Sequence, residues 1–380
     1  LDGEFQKDAT MIASPQVVKF SRVAVAAAIM LTTLMPSASA CTGIQIRTKN
    51  GIFVSGRTVE FGIQIDASIA MIPRGYNFVG ATPSGSGLKY TAKHAAIGAV
   101  AYTDVKLLDG LNDAGLAAGA FYFPTEAAYT PVSGDNQSRG VSPVDFPNWV
   151  LTQFATVAEV RQAIESGQVV ITPTAVKGWG DVPPPFHYIV YDKTGASIVI
   201  EPVGGKLVVH DNPLGVMTNS PSFDWHMTNL RNYITLSTDN LLQKKLGKVN
   251  LQAFGQGNGL TGLPGDFSPP SRFVRAAIFS ANATPSENAT QGIEQVFHIL
   301  NNFDIPVGVA RSKEGGVYHS DYTQMTMARD LQNLHYYYKS YGDQTIRMID
   351  MKVLDLHAKE VKLLGAVTSQ PIVNMTTQMK

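Results

Sequence analysis

The chain holds a single cysteine, Cys41, and it follows Ala38-Ser39-Ala40 directly. A signal peptidase that cuts after an A-x-A pattern would release a chain beginning with Cys41. Such a residue carries a thiol and a free α-amine together. The thiol can attack a carbonyl carbon and the amine can take its proton. Their ordinary pKa values, about 8.5 and about 8, make that proton exchange cheap near neutral pH. This pairing exists only after cleavage, because an amine locked in a peptide bond is no base.

The residues ahead of Cys41 read as an export leader. Lys19 and Arg22 form a short basic region, residues 23–35 an apolar run, and residues 36–40 a small-residue cleavage region. The run is short for a bilayer span of about twenty residues. Residues 1–10 fit no part of the signal, and Met11 is read as the natural start. The expectation is a leader over residues 1–40, cleavage between Ala40 and Cys41, and a single exported domain over residues 41–380, periplasmic or secreted. Two plainer readings stand beside it. Cys41 could be an inert buried side chain. It could instead be an acylated lipoprotein cysteine, although Ala38 stands where that signal wants Leu. A lipid-anchored or catalytically inactive binding protein is therefore the rival of another class, and the intact mass of the mature chain separates the two.

The elements that must position this chemistry begin beside it. Residues 42–48 alternate, Asn50-Gly51 follows, and Ile52 and Val54 resume the alternation. That pattern predicts a β-hairpin with both turn residues at positive φ. The returning strand carries Gly56-Arg57-Thr58-Val59-Glu60-Phe61, so Arg57 and Glu60 come back beside Cys41. Arg57 would favour the thiolate. Glu60 would balance that charge and orient the terminal ammonium. An ordinary solvated ion pair is the alternative for both.

Residues 94–103 and 115–123 read as strands, with turn chemistry at residues 108–115 between them. Residues 144–166 have helical spacing ended by Gly167. Short alternating strands follow at 187–192, 196–201 and 206–211. Helical patterns return at 225–236, 272–281 and 288–301. Strands close the chain at 324–329, 334–341 and 345–351. The order argues for an α+β fold with antiparallel sheets.

Basic and acidic residues balance at 30 each, so neither a nucleic-acid footprint nor a polybasic membrane patch is present. No spacing such as H-E-x-x-H or C-x-x-C calls for a metal, and no cofactor is expected. The papain-type context around a catalytic cysteine is absent. His187, His210 and His226 are read as structural, and Gly257, Gly259 and Gly262 as loop glycines. The expected partner is a small-molecule substrate.

Five motifs in order resemble the choloylglycine hydrolase family, which holds bile salt hydrolases and penicillin V acylases. They are Cys41-Thr42-Gly43, Gly56-Arg57-Thr58-Val59-Glu60-Phe61, Ala120-Phe121-Tyr122-Phe123-Pro124, Met217-Thr218-Asn219-Ser220-Pro221, and Leu263-Pro264-Gly265-Asp266-Phe267-Ser268 through Ser271-Arg272-Phe273. The resemblance implies an N-terminal-nucleophile hydrolase of linear amides, with a four-layer αββα sandwich of two antiparallel sheets and a homotetramer. It implies that Cys41 is the nucleophile and that Arg57 and Arg272 lie beside it. It gives Glu60 the place where many members have Asp. It makes the Asn219 side chain and the Tyr122 N–H the two oxyanion donors. Phe61, Tyr122 and Phe123 would form an aromatic rim for an aryl or fatty acyl group. Tyr122 stands where penicillin V acylases tend to have Tyr and bile salt hydrolases Asn. That puts penicillin V acylase activity first, with N-acyl homoserine lactones as further substrates, and conjugated bile acid hydrolysis as the alternative.

Overall fold

The alternating segment after Ala40 folds as the expected hairpin. Strands β1 (Cys41–Arg47) and β2 (Phe53–Phe61) pair antiparallel, with Cys41 opposite Val59 and Gly43 opposite Arg57. The turn differs from the expectation of two positive-φ residues. Only Gly51 is left-handed, at +86°. Thr48 N–H bonds the Ile52 carbonyl and Gly51 N–H bonds the Thr48 carbonyl, so the loop has three residues, a tight turn ending in a left-handed glycine.

The computed structural model describes residues 40–379 except 63, 66–67, 101–104, 178, 180, 315 and 366. The expected leader, apart from Ala40, lies outside the described residues, as does part of the strand expected at 94–103. The chain continues through β3 (Ser68–Ile72), β4 (Asn77–Thr82), β5 (Gly85–Thr91), β6 (Ala96–Val100), β7 (Leu107–Asn112), β8 (Leu116–Tyr122) and β9 (Gly140–Val141). Helices α1 (Phe146–Gln153) and α2 (Val157–Glu165) precede β10 (Val170–Ile171), β11 (Phe186–Asp192), β12 (Ser197–Val203) and β13 (Lys206–Asp211). Then come α3 (Phe223–Asn229), β14 (Gln243–Leu246), β15 (Val249–Gln252), α4 (Pro269–Asn282) and α5 (Ala289–Leu300). The last strands are β16 (Ala310–Glu314), β17 (Val317–Asp330), β18 (His335–Ser340), β19 (Asp343–Asp350) and β20 (Lys362–Gly365).

Two antiparallel sheets carry the fold. One runs β1-β2-β17-β18-β19, with β16 on the end of β17, and the other runs β13-β12-β11-β8-β7-β6-β3-β20. Alternation along β2 decides what each sheet faces. A side chain at Gly56 would meet Val296 and Leu300 of α5. Arg57, one residue on, lies over the Phe121 ring of the second sheet at 3.9 Å. Helices α4 and α5 cover the first sheet, and α1 and α2 cover the second. The result is the four-layer αββα sandwich. The described residues form one compact unit.

Two elements depart from the sequence reading. Residues 108–115 were expected as a turn, but β7 occupies most of that stretch. Its turn-like residues have buried partners instead. Asp109 accepts from Arg329 Nη2 at 2.7 Å and from the Tyr336 hydroxyl at 3.1 Å. Gly110 leaves room for Leu151. The single helix expected over 144–166 is two, because Phe154 is extended and Asn112 Nδ2 binds the carbonyls of Leu151 and Phe154 at 2.8 and 2.7 Å. The second helix restarts on the Thr156 side chain, which accepts from Glu159 N–H.

Candidate active site

The outer edge of β1 is covered by the loop that follows β13. Gly43 and Met217 exchange both backbone hydrogen bonds, at 2.8 and 3.1 Å. This register brings Asn219 beside Cys41. In a ladder, the N–H and C=O of one residue point to the same edge, and for Cys41 that is the outer edge. Its N–H donates to Asn219 Oδ1 at 2.7 Å, and its carbonyl accepts from Arg272 Nη1.

Arg272 enters from α4 and is fully buried. Nη1 also donates to Thr42 Oγ1 at 2.9 Å, Nη2 to Asn219 Oδ1 at 2.7 Å, and Nε to the Phe267 carbonyl at 2.8 Å. Asn219 Nδ2 donates to the Tyr122 carbonyl at 2.8 Å. The partners fix the amide orientation: two donors meet Oδ1 and a carbonyl meets Nδ2. Phe123 N–H bonds the Pro185 carbonyl across the β8–β11 pair. The residue before it therefore turns its N–H and C=O to the other edge of β8, the edge that Asn219 reaches. The Tyr122 N–H and the Asn219 amide thus share one side of the site.

Side-chain alternation separates the charges. Residues paired across β1 and β2 share a face, so Cys41 and Gly43 face the second sheet along with Val59 and Arg57. The approach is close: a Cβ at Gly43 would sit 2.8 Å from Phe121 Cζ. Arg57 Nη1 donates to the carbonyls of Ala120 at 2.6 Å and Leu108 at 3.3 Å. Glu60 lies on the opposite face, toward the helices. It accepts from the Thr323 hydroxyl at 2.9 Å, and its backbone N–H bonds the Ala40 carbonyl at 2.9 Å. Burial raises the Glu60 carboxyl to about 7, against the pull of Arg272, Thr58, Thr323 and Arg57. The Cys41 N–H meets Asn219, not Glu60.

The aromatic rim is partly rearranged. Phe61 meets Tyr122 edge-on at 6.4 Å and Trp179 at 4.7 Å, and Trp179 meets Phe186 at 5.3 Å. Phe123 does not join them. It is fully buried and stacked on His187 at 4.1 Å. Trp179, which the sequence reading did not single out, borders a cavity of about 170 Å³ with Leu108, Val144, Val176, Lys106 and Lys177. A tryptophan in the glycine-containing stretch at 177–181 was the available signal. The roomiest cavity described, about 640 Å³, lies at the far end of β1, beside Arg47 and Leu214, and includes none of the expected site residues. Among the described residues no group of His, Cys, Asp and Glu is arranged to hold a metal ion.

A family model described as linear amide C–N hydrolases, choloylglycine hydrolase family, matches residues 41–364, so the match begins at Cys41. A bile salt hydrolase/transferase of Clostridium perfringens is 36% identical over 326 residues, covering 85% of this chain and 95% of that protein. A solved variant of the conjugated bile acid hydrolase from the same species superposes with a TM-score of 0.78 at 33% identity, over 88% of this chain and 99% of the other. The penicillin V acylase of Agrobacterium tumefaciens superposes with a TM-score of 0.70 at 26% identity, over 86% and 91%.

Proposed function

This chain belongs to the choloylglycine hydrolase family of linear amide C–N hydrolases, and on that footing we propose that it is an exported bile salt hydrolase with Cys41 as nucleophile. The observation that carries the assignment of roles is the convergence of Asn219, Arg272 and the Tyr122 edge on Cys41, the residue at which the family match starts.

Cleavage before Cys41 frees its amine, which stays against Asn219 Oδ1. The amine takes the thiol proton as sulfur attacks the substrate carbonyl carbon, and a C–S bond forms. The Tyr122 N–H and the second Nδ2–H of Asn219 receive the oxyanion. The ammonium gives its proton to the departing nitrogen as the C–N bond breaks. Water then adds to the thioester with the amine again as base, the C–S bond breaks, and the acid leaves. Arg57 shares the Cys41 face. Glu60 offsets Arg272 and Arg57 from behind the strand.

The bile-salt reading departs from the order suggested by Tyr122. The relatives named bile acid hydrolases stand at 36% and 33% identity, above the penicillin V acylase at 26%. The Tyr122 side chain is also buried against Phe61, which weakens it as a reporter of acyl preference. The aromatic contacts among Phe61, Tyr122 and Trp179 favour aryl or long acyl amides as a second reading, with penicillin V and N-acyl homoserine lactones as examples. Export to the periplasm or beyond rests on the pattern of residues 19–40. Assembly with further copies, as in the homotetramer that the resemblance implies, is supported by the exposed Leu246, Val249, Leu251 and Phe254 on and just after the β14–β15 hairpin.

The test is a substrate panel on protein trimmed to Cys41, compared by kcat/KM. Glycine and taurine conjugates of bile acids should lead a phenoxyacetyl amide and a long-chain acyl lactone. A tenfold lead for the phenoxyacetyl amide would install the second reading. Near-normal turnover by Cys41→Ser, or full activity from an untrimmed chain, would remove the mechanism. Light scattering of the trimmed protein checks the assembly.

A further inference from the structure

Two histidines outside the reaction scheme grip the backbone that carries Asn219. His187 Nε2 meets the Thr218 carbonyl at 3.0 Å, and His226 Nε2 meets the Asn219 carbonyl at 2.8 Å. A carbonyl offers only lone pairs, so each Nε2 must carry its proton. These are successive peptide units of the one loop. We propose that His187 and His226 are positioning residues that hold the Asn219 amide in register with Cys41. The proposal rests on the reading of Asn219 as oxyanion donor.

The grip is built from the second sheet and two helices. His187 comes from β11, with its ring stacked on Phe123 at 4.1 Å. His226 comes from α3, with its ring stacked at 4.6 Å and 11° on Phe273. Phe273 is the neighbour of Arg272 on α4, so one helix turn fixes both the histidine plane and the guanidinium that binds Asn219 Oδ1. Burial lowers His226 to about 4, which leaves the ring neutral with Nε2–H over the working range.

Glu201 ties the two histidines together. Its Oε1 meets His187 Nδ1 at 3.2 Å and accepts from Phe223 N–H, at the start of α3, at 2.9 Å. Its Oε2 faces His210 Nε2 at 3.3 Å. Burial works to raise the Glu201 carboxyl, but hydrogen bonds from His187, His210 and the Phe223 backbone outweigh it and lower the group to about 2. The His187 ring is held at both ends, Nδ1 against Glu201 Oε1 and Nε2 against the Thr218 carbonyl, and these two contacts fix its plane.

A displaced amide costs rate without costing ground-state affinity. His226→Ala should lower kcat about tenfold to a hundredfold, the range expected when a reacting group is mispositioned, with KM within about threefold. His226→Gln, which can donate to the same carbonyl, should recover most of that loss. The deciding measurement is a double-mutant cycle with Asn219→Ala. Because His226 acts through Asn219, His226→Ala should change kcat less than about threefold in the Asn219→Ala background. Equal losses in both backgrounds, or a melting shift with kcat intact, would overturn the proposal. If His226→Ala does not fold, His187→Phe and His226→Phe, which keep the ring stacks but cannot donate, are read in the same cycle: each should lower kcat only where Asn219 is present, and a loss equal in both backgrounds overturns it. A different result separates the premise: if Asn219→Ala alone leaves kcat intact, the oxyanion reading fails whatever the histidines do.

Discussion

Asn219→Asp is the sharpest probe of the site, because it changes chemistry and hardly changes shape. The carboxylate keeps the two contacts made through Oδ1, from Cys41 N–H and Arg272 Nη2, both at 2.7 Å. It loses both N–H donors of Nδ2 and sets an oxygen against the Tyr122 carbonyl, now 2.8 Å from Nδ2. Loss of one oxyanion donor costs about a hundredfold to a thousandfold in kcat. The new anion adds repulsion against the developing oxyanion: two unit charges about 4 Å apart interact by about 4 kcal/mol at an effective dielectric of 20. Arg272 absorbs part of that charge, so we take about a thousandfold as the floor. The same Arg272 pairing should hold the melting temperature near that of the parent, whereas Asn219→Ala would take one hydrogen bond from a buried guanidinium and one from the Tyr122 carbonyl, at about 1–3 kcal/mol each. Single-turnover kinetics with a chromogenic amide should show slow acylation with KM little changed. A kcat within tenfold of the parent would refute the placing of the oxyanion at Asn219.

Glu60 should make stability fall with pH. Its folded pKa, raised by burial to about 7, lies above the ordinary 4.5. The native state therefore holds the proton longer than the unfolded chain, and this contribution is full below about 4.5 and lost as pH rises through about 7. The shift corresponds to about 3 kcal/mol. Urea midpoints at pH 5 and pH 8 should therefore converge in Glu60→Gln and diverge in the parent; parallel behaviour would contradict the burial argument. Arg329→Met should cost about 3–5 kcal/mol, because it strips the buried Asp109 of its ion-pair partner while leaving the Tyr336 hydroxyl. A loss below about 1 kcal/mol in denaturant titration would show that Asp109 is carried by its other neighbours. Trp179→Ala should change the ranking of acyl groups by kcat/KM while sparing the acetyl-sized ones, since Trp179 borders the cavity beyond Phe61; a uniform drop across the panel would argue against an acyl-binding role.

What the sequence made legible was local. The first hairpin was visible because alternation and Asn50-Gly51 are short-range signals, and even there the three-residue loop escaped, since its register is set by Thr48 and Ile52 rather than by the pair alone. The meander β11–β13 was visible for the same reason. What escaped depends on partners far along the chain. Asp109 and Gly110 look like turn residues until Arg329, 220 positions later, supplies the charge that lets them sit in a buried strand. Asn219 meets Cys41 across 178 positions, and no spacing rule reports that; the family resemblance pointed to it. His187 and His226 carry ordinary strand and helix patterns, and their carbonyl contacts belong to the fold alone. Phe123 was misjudged because alternation along β8 turns it inward beside Phe121, while Tyr122 points the other way.

On the proposed reading, the position of Cys41 on an edge strand lets its own amine do the work of a separate base. The β1 pleat sends the side chain toward the second sheet, on the face that Arg57 shares, while the edge sends the backbone N–H and carbonyl outward to Asn219 and Arg272. Three directions from one residue are thus occupied by three different parts of the fold. With the chain continuous, the Ala40 carbonyl continues the ladder to Glu60 N–H, and Cys41 N is an amide with no basicity. Cutting that bond changes little in the ladder beyond Cys41, because the contacts of Cys41 with Asn219 and Arg272, and of Gly43 with Met217, all lie on the retained side. On that reading the site is assembled before it is chemically competent. It follows that a variant with one extra residue ahead of Cys41 should fold with the same melting temperature yet not form a thioester with an activated amide. Acylation of that untrimmed protein, detected as an intact-mass increase on Cys41, would show that some other group takes the proton.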